Sequence, residues 1–152
     1  MKKQKRIWIS LLLSFILIIV LSGCSGVIGP KTAKINITID PNPVPYDSED
    51  EDWSLNVILS ESNGVGVTLS SLRFDGYNQE EQLFDTQFLY EEGIIDWFES
   101  NYLPAFSSLQ SSINYSMAPG DEFAKYTVLT IEGVDDNDNP IEATGRVDHL
   151  PK

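Results

Sequence analysis

The sequence predicts an all-β sandwich of about seven strands with one short helical insertion, carried behind an apolar leader. Three observations lead there. Apolar and polar residues alternate with period two in several stretches between residues 34 and 148. Turn-forming residues separate those stretches at fairly regular spacing, as at Asn63-Gly64, Pro119-Gly120-Asp121 and residues 135–140. One segment, residues 91–101, has helical spacing instead.

The first strand is expected at residues 34–39, where Ile35, Ile37 and Ile39 alternate with polar residues. Pro41, Pro43 and Pro45 end it, since proline cannot donate to a ladder, and favour an extended segment along an edge. Residues 46–52 hold Asp47, Glu49, Asp50, Glu51 and Asp52, which read as a solvated loop or as an oxygen-rich cation site. Trp53, Leu55, Val57 and Leu59 then share one strand face. Asn63-Gly64 signals a tight hairpin, because both positions tolerate positive φ. Val65, Val67 and Leu69 continue one face, and the shift to Leu72 and Phe74 after Ser70-Ser71 predicts a bulge.

Residues 82–88 suit a short edge strand. Ile94, Ile95, Phe98 and Tyr102 give an amphipathic helix over residues 91–101, stopped by Pro104. Leu109, Ile113, Tyr115 and Met117 return to strand spacing. Residues 125–132, rich in Thr, Val, Ile and Tyr, predict a central strand covered on both sides. The cleanest alternation closes the chain, with Ile141, Ala143, Gly145 and Val147 on one face.

Charge narrows the partners. The chain of 152 residues has a net charge of −13, and the four bases Lys2, Lys3, Lys5 and Arg6 precede Cys24 with no acid among them. From Cys24 onward six bases meet 23 acids, a net of −17. Such a surface repels phosphate backbones and anionic lipid, so nucleic acid is not expected as a partner. Aromatic residues concentrated after the leader favour a folded domain over a disordered acidic chain.

The start of the chain carries an address. A basic stretch ending at Arg6 precedes an apolar run, residues 7–21, interrupted only by Ser10 and Ser14. That length suits a signal peptide and falls short of the ~20 residues that span a bilayer, although an uncleaved anchor helix is the alternative. Leu21-Ser22-Gly23-Cys24 resembles the lipobox of bacterial lipoproteins. The resemblance implies a diacylglyceryl group on the Cys24 thiol, cleavage before Cys24, and a protein held at the cell membrane or outer membrane, facing outside the cytoplasm. Two acyl chains hold stably where one does not, at about 0.8 kcal/mol per buried methylene. The expected organisation is a signal peptide over residues 1–23, a lipidated tether over residues 24–33, and one domain over residues 34–149.

The C-terminal half, from Tyr126 through the acidic turn to Val147, is similar to the last two strands of bacterial immunoglobulin-like and fibronectin-type domains. An immunoglobulin-like β-sandwich follows from that resemblance, without the paired cysteines of antibody domains. It would send the strands flanking Asn63-Gly64 to opposite sheets, whereas the turn signal favours one sheet.

Catalytic chemistry finds few residues. There is one cysteine, committed to lipid, and one histidine, His149. A Ser-His-Asp arrangement, a zinc site and a Gly-rich phosphate loop all lack their parts. The expectation is therefore a non-enzymatic binding or structural module with a protein or envelope polymer as partner. Residues 135–140 resemble the Asp-x-Asn-Asp-Asn calcium linker of cadherins, which places Asp135, Asn137, Asp138 and Asn139 on ligand positions and implies a calcium-dependent adhesion module; the same residues also suit a polar hairpin turn. Trp97, Phe98 and Tyr102 suit either an aromatic binding patch or core packing. A small envelope hydrolase with paired carboxylates is the third reading.

Overall fold

The computed structural model describes residues 30–49, 52–115 and 124–151. These belong to the compact unit Lys31–Lys152, apart from Pro30. Among them are nine strands and one helix: β1 Ile35–Asp40, β2 Tyr46–Asp47, β3 Asp52–Glu61, β4 Val67–Tyr77, β5 Leu83–Tyr90, α1 Glu91–Phe98, β6 Tyr102–Leu103, β7 Ser108–Tyr115, β8 Tyr126–Asp135 and β9 Pro140–Asp148. Two strands have only two residues, which leaves seven long ones. Met117 and the 119–121 turn lie outside the described residues, as do Asp50, Glu51 and residues 1–29 with Cys24.

The strands form two antiparallel sheets, and the described residues make an all-β sandwich. In the first sheet β3 is central: β1 and β2 share one edge and β7 takes the other. The second sheet runs β5-β4-β8-β9, with β6 against the first two residues of β4. The inward faces follow the alternation in the sequence. Trp53, Leu55, Val57 and Leu59 of β3 are buried, and so are Val67, Leu69 and Leu72 of β4 and Leu129 and Ile131 of β8. The bulge in β4 lies where the pattern shifts, between Leu69 and Ser71.

One side of the sandwich is closed by backbone proximity. Gly145 of β9 lies under β1, where an added Cβ would come within 2.8 Å of Ile37. Between Pro43 and Pro45, Val44 leaves the first sheet and pairs in parallel with His149: Val44 N–H donates to the Asp148 carbonyl (2.8 Å) and Leu150 N–H to the Val44 carbonyl (2.9 Å). The opposite side lies between the edges of β5 and β7, and α1 packs against β4, β5 and β7 there. Ile94 and Phe98 supply its buried face.

One point left open by the sequence is decided, and one expectation is corrected. Asn63-Gly64 does not close a hairpin within one sheet; β3 and β4 lie in opposite sheets. Both edges of β3 are already occupied, and β4 buries Val67, Leu69 and Leu72 by pairing with β8 instead. Each such side chain contributes about 1.5–3 kcal/mol, more than a turn preference. The crossing is held by Glu61, whose side chain is 3 % exposed. Its carboxylate accepts the N–H groups of Lys34 (3.1 Å), Asn63 (2.7 Å), Gly64 (2.7 Å) and Phe106 (3.1 Å). Gly64 adopts φ 82°, with the Phe106 ring where its side chain would be. The helix also ends earlier than its spacing implied, at Glu99 in the left-handed region (φ 60°), so Pro104 is not its stop and Tyr102 belongs to β6.

Glu61 is the group whose loss should matter most at this crossing. Glu61→Gln keeps the size but only one acceptor oxygen, and should destabilise Lys31–Lys152 by about 2 kcal/mol or more in urea denaturation. The unit should fold without residues 1–30, since its strands and core are its own.

Candidate functional site

A cavity of about 310 Å³ lies between the sheets. Its walls come from Ile39 of β1, Leu55 and Val57 of β3, Phe74 of β4, Leu129 of β8 and Val147 of β9. It lies in the half of the sandwich away from Lys31. Local sequence explains the gap. Gly76 of β4 presents no side chain, and β5 contributes Asp85 and Gln87 where an apolar pair would have closed the sheets. Gln87 Nε2 donates to Asp85 Oδ2 at 3.0 Å. The exposed members of the lining, Asp85, Gln87, Phe88 and Asn114, belong to β5 and β7, so the cavity opens between those two edges.

At its far end the cavity meets a buried polar group. His149 is 8 % exposed, with Nδ1 against the Tyr115 hydroxyl and Nε2 against Thr127 Oγ1 at 3.0 Å. Aromatic rings surround it. Trp53 stacks on Tyr115 at 5.6 Å, tilts against Tyr46 at 4.7 Å, and meets His149 edge-on at 6.5 Å. Burial lowers the imidazole pKa from 6.5 to about 4, against a smaller upward pull from Asp148, and burial raises that of the Tyr115 phenol. Both groups are therefore neutral at pH 7. The sequence marked His149 only as a lone histidine near the end of the chain; its place beside a cavity depends on the Val44 pairing.

The residues singled out in the sequence are dispersed. Phe98 is a core residue at 4 % exposure, the core-packing alternative: in the last turn of α1 it faces inward with Ile94. Trp97 is half-buried, 5.4 Å from Phe74, and forms part of the cavity wall. Tyr102 is exposed, and its hydroxyl donates to Asp136 Oδ2 at 3.1 Å. Cys24 lies outside the described residues.

Residues 135–140 form the β8–β9 turn. Asp135, 3 % exposed, points its carboxylate inward, where it accepts the N–H groups of Ala33 (3.0 Å), Asn137 (2.9 Å) and Asn139 (2.9 Å) and the Asn139 side-chain amide. Burial pushes its pKa up, and these donors together outweigh that and bring it to about 2. Glu61 is governed by the same balance, also at about 2. Asn137 Nδ2 donates to the Lys31 carbonyl (2.8 Å), and Asp138 takes φ 61° in the turn. Among the described residues no three His, Cys, Asp or Glu side chains converge on a point that would hold a metal.

Two measurements follow. Calcium would have to displace the donors that hold Asp135, so millimolar calcium should leave the melting temperature of Lys31–Lys152 unchanged; a rise of several degrees would favour the cation reading. Acid should destabilise the fold in two stages. The unfolded chain takes up a proton at His149 near pH 6.5 while the folded chain resists to about pH 4, so stability falls across that window. Glu61 and Asp135, with ordinary values of 4.5 and 3.8 and folded values of about 2, add a second loss as pH falls from about 4.5 to 2. His149→Gln should flatten the first stage of a melting-temperature profile and leave the second.

No family model and no curated protein matches the sequence. Among solved structures the fold is similar to that of a Bordetella pertussis protein assigned as ApaA, at TM-score 0.51 and 12 % identity, covering 80 % of this chain and 98 % of that one. A structural-genomics target solved by X-ray reaches 0.49 at 10 % identity, covering 80 % and 94 %. The alkylpurine DNA glycosylase AlkC of Pseudomonas fluorescens, bound to DNA with an abasic-site analogue, reaches 0.45 at 10 %, covering 78 % of this chain and 30 % of that one. At these identities the likeness extends to the fold alone.

Proposed function

We propose that this protein is a lipid-anchored, non-enzymatic binding module of the bacterial cell envelope. The observation that carries the reading is the run Leu21-Ser22-Gly23-Cys24 at the end of an apolar stretch with a basic start. Six residues separate Cys24 from Lys31, where the compact unit begins. Fully extended, they span roughly 20 Å. The net charge of −17 from Cys24 onward cannot hold an anionic bilayer, so the attachment falls to the lipid.

The arrangement of the domain supports a display role. The chain enters the sandwich at the end where Glu61 and Asp135 bind Lys34 and Ala33. The cavity and the aromatic cluster around His149 occupy the other half. Both imidazole nitrogens of His149 face hydroxyl partners, in keeping with a structural role for that side chain. The partner class on this reading is a protein or polymer of the envelope.

Cys24→Ala should abolish incorporation of labelled fatty acid and shift the protein from the membrane to the soluble or mislocalised fraction of the native cell. Unchanged fractionation with an intact leader would replace the lipid anchor by an uncleaved helix.

A further inference from the structure

The interior of the sandwich is unequally filled. Toward Lys31 the gap between the sheets is occupied by Leu59, Val67, Leu69, Leu72, Ile94 and Phe98, all buried. In the other half the sheets keep their spacing around a cavity of about 310 Å³. Interiors of domains are ordinarily close-packed, and an unfilled apolar space forfeits contacts on every wall. Ligand pockets begin at about 300 Å³ and are mostly apolar with a few placed polar groups. This cavity has that make-up: aliphatic walls, Trp97 and Phe74 on the α1 side, polar groups at its mouth, and hydroxyl and imidazole groups at its inner end.

We infer that the cavity is a binding site for a small, uncharged, largely apolar molecule bearing one hydroxyl or carbonyl group, which enters between β5 and β7. The apolar body would lie against Leu55, Val57, Leu129 and Val147, and the polar group would meet the hydrogen-bonding side chains at either end. Charge sets the class. Among the described residues no Lys or Arg lines the cavity, Asp85 stands at its mouth, and the domain is strongly acidic, so a carboxylate or phosphate would be repelled on approach and unpaired once inside. The neutral His149 and Tyr115 offer no counter-charge at pH 7. This inference goes beyond the lipid-anchored reading and does not depend on Cys24, because it is tested on Lys31–Lys152.

The test uses N-phenyl-1-naphthylamine, an uncharged apolar fluorophore, titrated into Lys31–Lys152 at pH 7.5. A saturable emission increase at one probe per chain is expected, displaced by 1-decanol and at least about tenfold less effectively by decanoate. Gln87→Trp, a change on an exposed edge strand, should plug the mouth and weaken probe binding about tenfold or more with its cooperative melt retained. Val57→Phe fills the same space from the opposite sheet and should do likewise. Tyr90→Ser, on exposed β5 but outside the lining, should bind as the unaltered domain does. Absence of saturable emission would overturn the site, undiminished binding by a folded Gln87→Trp would place the probe elsewhere, and equal displacement by decanoate would overturn the charge preference.

Discussion

Two buried carboxylates hold the two sheets to one incoming strand. Glu61 ends β3 in the first sheet and takes the N–H of Lys34; Asp135 ends β8 in the second and takes the N–H of Ala33. Consecutive amides of one short segment are thus bound to opposite layers. Each carboxylate also gathers the turn beside it, Asn63 and Gly64 in one case and Asn137 and Asn139 in the other. Among the described residues neither acid pairs with a base. Backbone N–H groups repay the cost of burying the charge, which works only while every one of them stays in place. The geometry of β1, of the β3–β4 crossing and of the β8–β9 turn therefore depends on ionised carboxylates.

The other half of the sandwich is held by different means. Rings of Trp53 and Tyr115 pack against a neutral His149, Tyr46 packs on Trp53, and the Val44–His149 bridge fastens the proline-rich segment to the second sheet. Aromatic stacking closes the end of the sandwich without filling the space between its layers. With α1 covering only part of the gap between β5 and β7, an internal cavity and an open edge coexist beside a tightly clamped end.

Period two was legible because each strand buries one face. The inward residues of β3, β4 and β9 could be named from alternation, and the bulge after Leu69 from its interruption; the less regular β8 gave no such face. Local signals misled where tertiary contacts competed. Asn63-Gly64 has the chemistry of a hairpin, yet its amides are taken by Glu61 and the strand it leads into finds its partner in β8. Acid counting also had a limit. Glu61, Asp75 and Asp135 are among 23 acids that composition treats alike, but each is under 10 % exposed. Nothing local distinguishes a carboxylate that solvates a surface from one that caps three chain segments.

The sequence by itself determined the all-β class, the strand faces, the acidic surface and the resemblance of residues 21–24 to a lipobox, because each is a property of neighbouring residues. Tertiary structure alone decided which sheet each strand joins, which acids turn inward, and that His149 sits at the end of a cavity. Those outcomes depend on residues brought together across the chain, such as Ala33 with Asp135 and Tyr115 with His149. The cavity is the clearest case. It is an absence of apolar side chains at Gly76, Asp85 and Gln87, and becomes a space only when two sheets face each other across it.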